Sequence, residues 1–207
     1  SWDDLGEKLI AAGVVDPEKI TESQKTDLNL LWALGLSNKN RILDEGPMVD
    51  PRYGGADRFA STGGWTVSVG DPMEHYSKHQ FIQLTEAQQQ LVERVAKNIY
   101  RPCCDNSTYF PDCNHGMAML GFLELLASRG ASEQDMYANA LRMNREWFPD
   151  QYGQIGEYFA SRGQDMNTID PKEILGKKYS SATSRNHTGG AGCGIGGAKP
   201  KSSGCGI

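Results

Sequence analysis

The sequence predicts an all-α protein. It reads as a helical domain of about six helices over residues 1–175, with a long irregular insertion at 41–84 and a Gly- and Ser-rich tail at 176–207. Three observations lead there. Apolar residues recur at three- and four-residue spacing in six separate stretches, the spacing that lines one face of a helix. Gly-Pro, Asp-Pro and Gly-Gly pairs cluster between residues 41 and 84, where that spacing fails. The segment Trp65-Thr66-Val67-Ser68-Val69 alone alternates like a strand.

In chain order, Ser1 is placed to cap a first helix carrying Leu5, Leu9 and Ile10, ended by Gly13. A second is expected from Glu22 to Leu34, with Leu28, Leu31, Trp32 and Leu34 inward and Gly35 as its stop. Gly46-Pro47, Asp50-Pro51, Gly54-Gly55, Gly63-Gly64 and Asp71-Pro72 then mark turns, and a connection this long tends to be functional. Thr85 and Gln88 form a capping-box pattern for a third helix running to Tyr100, which Pro102 ends. Pro111-Asp112 is expected to open a fourth. Met117, Met119, Leu120, Phe122, Leu123, Leu125 and Leu126 make it apolar on nearly every side, so it should be the central buried helix. Ser132 starts a fifth with Met136, Ala140, Leu141 and Trp147, and Pro149-Asp150 a sixth with Tyr152, Ile155, Tyr158 and Phe159.

With net charge -5 and only two small basic clusters, Lys177-Lys178 and Lys199 with Lys201, the chain lacks the concentrated Lys and Arg that nucleic acid or anionic lipid demands. No run of about 18 apolar residues is present to span a membrane. Neither Gly-x-Ser-x-Gly nor a Gly-Lys-Ser/Thr phosphate loop occurs, so hydrolase and nucleotide-binding readings find no support. The chain begins on Ser1 and holds five cysteines, an odd number, with glycosylation triplets at Asn106 and Asn186. The expectation is a processed, extracytoplasmic (periplasmic or secreted) protein with at least one unpaired thiol.

The chemistry concentrates in Arg101-Pro102-Cys103-Cys104-Asp105-Asn106-Ser107-Thr108-Tyr109-Phe110-Pro111-Asp112-Cys113-Asn114-His115. Three thiols and an imidazole here sit between two predicted helices, where they can converge. Cys113 in a first helical turn would gain thiolate character from unpaired N–H groups and the helix dipole, with Asp112 opposing. His115 lies about 200° further round the helix and reaches the same site only by bending over its tip. A disulfide such as Cys104 to Cys113 is the structural alternative. A Cys103–Cys104 bond would be strained, because Cα atoms ~3.8 Å apart fall short of the usual disulfide span. His75 and His79, one helical turn apart, would complete or neighbour the site as an i, i+4 ligand pair, or else serve as surface or capping histidines. Met117 and Met119 read as core.

The tail repeats Gly-Cys-Gly-Ile at 192–195 and 204–207, so Cys193 and Cys205 share one local setting. They read as a mobile redox or metal-carrying arm, as extra ligands, as a disulfide clip, or as an end docked on a neighbouring chain. Together these features predict a soft-metal-binding protein, copper or zinc, with Cys103, Cys104, Cys113 and His115 as core ligands. The alternatives are a thiol–disulfide or metal-reducing oxidoreductase and an iron or iron–sulfur protein.

Overall fold

A computed structural model describes residues 2–21, 26–65 and 67–184 of the chain. Among them, ten α-helices form: α1 Trp2–Ala11, α2 Pro17–Thr21, α3 Thr26–Ser37, α4 Arg41–Glu45, α5 Glu86–Ala96, α6 Asn114–Ser128, α7 Glu133–Trp147, α8 Pro149–Ala160, α9 Pro171–Leu175 and α10 Lys177–Ser180. Six of these, α1, α3, α5, α6, α7 and α8, have ten or more residues and correspond to the six stretches of helical periodicity. The fold is all-α, with only two isolated β-bridges among the described residues. Among the described residues, no helix is long and apolar enough to cross a membrane.

α6 is the axis of the core. Met117, Ala118, Met119, Leu120 and Leu123 are all buried, as an all-round apolar helix requires. It crosses α3 at backbone distance. A Cβ on Gly35 would overlap the Met117 carbonyl oxygen, and one on Gly121 would lie 2.5 Å from the Leu31 carbonyl oxygen. Gly35 therefore does not stop its helix, as the sequence suggested. α3 runs on to Ser37, and Gly35 is the contact that lets two helices touch. The capping box at Thr85/Gln88 opens α5 as expected, and Ser132, expected to start a helix, opens α7 through a capping box with Asp135.

The 41–84 insertion contains one short helix, α4, and four 3-10 turns, Pro47–Val49, Pro51–Tyr53, Ala56–Arg58 and Pro72–Glu74. Asp50 and Asp71 start two of the turns by accepting the N–H groups of Arg52 and Met73, each at 2.9 Å. Among the described residues of the 65–69 segment, Trp65 and 67–69, no strand forms. Trp65 and Val67 do point into the core, which accounts for the alternation, but the only pairing there is a bridge between Val15 and Ser68. Residues 75–79 are turns instead of the start of an α-helix, because their backbone is drawn onto the end of α3. Ser77, at φ 53°, donates its N–H to the Leu36 carbonyl and His79 donates to Ser37, both at 2.8 Å. Carbonyls left open at a helix C-terminus are satisfied this way.

That junction also encloses a carboxyl group. Glu124 of α6 is fully buried and accepts hydrogen bonds from the side-chain amides of Asn38, at 3.1 Å, and Asn40. Burial pushes its pKa well above the ordinary 4.5, outweighing the two amide bonds that favour the carboxylate. The folded state thus holds a proton that the unfolded state releases. The stabilisation is complete below the unfolded pKa and is lost as pH rises towards the folded one. Glu124→Gln removes this titration. Urea melts of the two proteins from pH 4 upward should show wild type losing stability relative to the variant; parallel pH curves would refute it.

The packed part of the chain extends past residue 175. Tyr179, Ser180, Ser181 and Ser184 are buried. The Ser180 hydroxyl lies 2.7 Å from the Tyr152 hydroxyl and donates to the Ile174 carbonyl at 2.7 Å. Residues 182 and 183 then touch the cysteine loop. Ala182 donates its N–H to the Cys104 carbonyl at 3.0 Å, and Thr183 donates both N–H and hydroxyl to Asp105.

Candidate metal centre

The loop between α5 and α6 folds back on the helix it leaves. Thr108 donates its N–H to the Ile99 carbonyl at 2.8 Å, and Tyr109 donates to Ala96 at 3.1 Å. Its far end is tied to the insertion, where Ser61 donates to the Asp112 carbonyl at 3.2 Å. Pinned at both ends, the loop brings Cys103 and Cys104 over Cys113. The three Sγ atoms lie within 4.8 Å of one another, with Cys103 to Cys113 at 3.6 Å and Cys104 to Cys113 at 4.0 Å. All three thiols are free, so the disulfide alternative for the loop is not realised. Cys113 is buried, while Cys103 and Cys104 are half-buried and form the open side.

Cys113 is the N-cap of α6 and not a first-turn residue, since the helix starts at Asn114. Its charge is set mainly by side chains. Hydrogen bonds from Cys103 and then Cys104 hold its thiol well below the ordinary value of 9.0 against the opposing effect of burial, and Arg101 lowers it further. Cys104 goes the other way. Its contact with Cys103 lowers it, but the bond to Cys113 and burial prevail and push it up to about 12. The two sulfurs are thus pushed in opposite directions, Cys113 towards thiolate and Cys104 towards thiol.

Arg101 is the side chain that makes this arrangement stable. It is 1% exposed, yet all of its nitrogens have partners. Nε donates to Cys113 Sγ at 3.0 Å, Nη1 to the Asn106 carbonyl at 2.9 Å, and Nη2 to the Phe110 carbonyl at 3.2 Å and Asp112 Oδ1 at 2.9 Å. Asp112 completes its own set by accepting from the Asn106 side-chain amide at 2.8 Å. Burial raises the Asp112 carboxyl, and Arg101 opposes that. Sequence reasoning did not assign Arg101 a role and treated Asp112 only as a helix cap. The available signal was an arginine immediately before Pro-Cys-Cys, the residue type best suited to a buried pairing with anions.

Gly116, one turn into α6, makes room for that guanidinium. A Cβ there would lie 2.5 Å from Arg101 Cζ. Gly116→Ala should displace Arg101, cost about 1–3 kcal/mol by overpacking, and raise the Cys113 pKa. A thermal melt and an ultraviolet thiolate titration check both effects; an unchanged titration would contradict the role given to Arg101.

The other predicted ligands lie elsewhere. The His115 ring packs on Phe148, with centroids 4.6 Å apart, and on Trp147 at 5.7 Å, and it is not part of the sulfur group. His75 and His79 face each other, Nδ1 to Nε2 at 3.2 Å. His75 Nε2 also meets the Val69 carbonyl, and His79 stacks on Phe81. They form a separate pair that does not join the cysteines. Burial, then the neighbouring His75 and Lys78, hold the His79 pKa down. Met117 and Met119 are core residues. Cys193 and Cys205 lie outside the described residues.

Among the described residues, the three cysteines are the one group of at least three His, Cys, Asp or Glu donors close enough to share an ion. Compared with known proteins, the chain matches no family model, no curated protein and no solved structure. Function is therefore argued from this group alone.

Proposed function

We propose that the protein binds a soft metal ion through Cys103, Cys104 and Cys113, for storage, transfer or redox use. The supporting observation is the convergence of three sulfur atoms, none in a disulfide, within 4.8 Å around a buried arginine. Thiolates select thiophilic ions such as Cu(I) and Zn²⁺ over hard cations. The neighbouring thiols and Arg101 favour the thiolate form of Cys113, which lowers the proton cost of loading. The guanidinium that stabilises it also orients it, in the manner of the outer partners that tune metal ligands.

The test is elemental analysis with a ligand-to-metal charge-transfer spectrum on reduced protein loaded with Cu(I) or Zn²⁺ and desalted. One ion per chain is expected in wild type and substantially less in Cys103→Ser and Cys104→Ser. Equal retention in the variants would remove these residues from the site.

A second reading is favoured by one specific distance, the 3.6 Å between Cys103 and Cys113. A Cys113 thiolate attacking a partner disulfide would form a mixed disulfide and release one partner thiolate. Cys103 would then resolve it, leaving a Cys103–Cys113 disulfide and a reduced partner. Metal-free protein whose thiols cycle reversibly, with no ion retained, would support that enzyme over the binding protein.

A further inference from the structure

We propose that the preferred ion is a trivalent metalloid hydroxide of the arsenite or antimonite class, bound through one sulfur–metalloid bond each from Cys103, Cys104 and Cys113. This rests on the soft-ion reading and names its ligand. The first argument is coordination number. Structural zinc sites close with four protein ligands, and the described side chains around these sulfurs offer no fourth. Both Asp112 oxygens are engaged, Oδ1 by Arg101 and Oδ2 by Asn106. The His115 ring is packed against aromatic rings. Arg101 Nε, 3.0 Å from Cys113 Sγ, places a positive charge where a further donor on the protein side would sit. Three sulfurs facing one open side suit an atom that forms three bonds and keeps a lone pair.

The second argument is charge. Arg101 sets one cation between Cys113 Sγ, 3.0 Å away, and Asp112 Oδ1, 2.9 Å away, in a largely buried place. Three thiolates around Cu(I) would leave that core at minus two, and around a divalent ion at minus one. Around a trivalent centre the core is neutral, and the Arg101–Asp112 pair is neutral with it. Buried charge without a partner is what such a site must avoid.

The reaction balances without an oxidant or reductant. M(OH)₃ exchanges three hydroxyl groups for three sulfurs and releases three waters. Each hydroxyl leaves as water with one proton, taken from the thiol that replaces it or from solvent where that sulfur is already a thiolate. The half-buried pair gives the point of entry, and the buried Cys113 sulfur gives the third bond.

The experiment titrates reduced full-length protein with sodium arsenite, and separately with Cu(I) and Zn²⁺, reading native mass. Arsenite should add one arsenic less three protons per chain. The adduct should persist in the Cys193→Ser/Cys205→Ser double variant and be lost in Cys104→Ser, with far-UV circular dichroism confirming that each variant is folded. An adduct that forms with the loss of only two protons, or that needs the tail cysteines, overturns the three-sulfur assignment. Retention of Cu(I) or Zn²⁺ without arsenite overturns the metalloid proposal and leaves the soft-ion reading standing. Failure of all three ions overturns both.

Discussion

Replacing Arg101 with Met is expected to destabilise the protein by about 3 kcal/mol or more, the loss seen when one partner of a buried ion pair is removed. For a chain of this size that corresponds to a fall in Tm of roughly 6–12 °C. The loss has identifiable parts. The buried Asp112 carboxyl loses its cation, and the carbonyls of Asn106 and Phe110 lose their donor. The Cys113 thiolate loses both a hydrogen bond and a countercharge, so its pKa should climb. Differential scanning calorimetry and a thiolate titration on the same sample would show the two effects together. Intact stability, or a thiolate that survives the substitution, would contradict the place given to this arginine.

Gly121→Ala is expected to be comparably severe for a different reason. The new methyl group would lie 2.5 Å from the Leu31 carbonyl oxygen and 2.7 Å from the Gly35 nitrogen, both backbone atoms that no rotamer change can move. α3 and α6 would have to separate, opening the core beside Met117, Leu120 and Leu31. Overpacking ordinarily costs about 1–3 kcal/mol and can cost more; a backbone clash at a helix crossing belongs at the upper end. Gly153→Ala on α8 is the control, since a Cβ there meets nothing within 4 Å. That change should be neutral or slightly stabilising, because Ala forms helix better than Gly. Equal urea midpoints for the two variants would refute the close crossing.

These two glycines illustrate what could and could not be read in advance. Periodicity identified the six long helices because each must bury one apolar face, and α6 was recognisable as central from apolar residues all round it. Gly35 was misread as a stop because a glycine at a helix crossing and one at a helix end look the same in sequence. Trp65 and Val67 alternate with polar neighbours because both are buried, and burial in an irregular loop leaves the same trace as a half-buried strand. The turns at 75–79 were hidden because they are held by the carbonyls of α3, some forty residues earlier in the chain.

The sulfur group was legible for a local reason. A seventeen-residue loop, 97–113, between two helices confines Cys103, Cys104 and Cys113 to one neighbourhood whatever the rest of the fold does. His115 was not, because its direction depends on Trp147 and Phe148 across the α7–α8 junction, an aromatic contact that local spacing does not encode. His75 and His79 do meet each other, but through turns in place of helical spacing. Arg101 was overlooked because its importance lies in what it reaches, and its partners are spread along the loop from Asn106 to the helix cap Cys113.

The most direct measurement is a thiol-protection map. Reduced protein, with and without one equivalent of bound soft ion, is alkylated and each cysteine is quantified by peptide mass spectrometry. The account predicts that a single ion shields Cys103, Cys104 and Cys113 together and to the same extent. Shielding of only one of the three, or of Cys193 and Cys205 in their place, would contradict it.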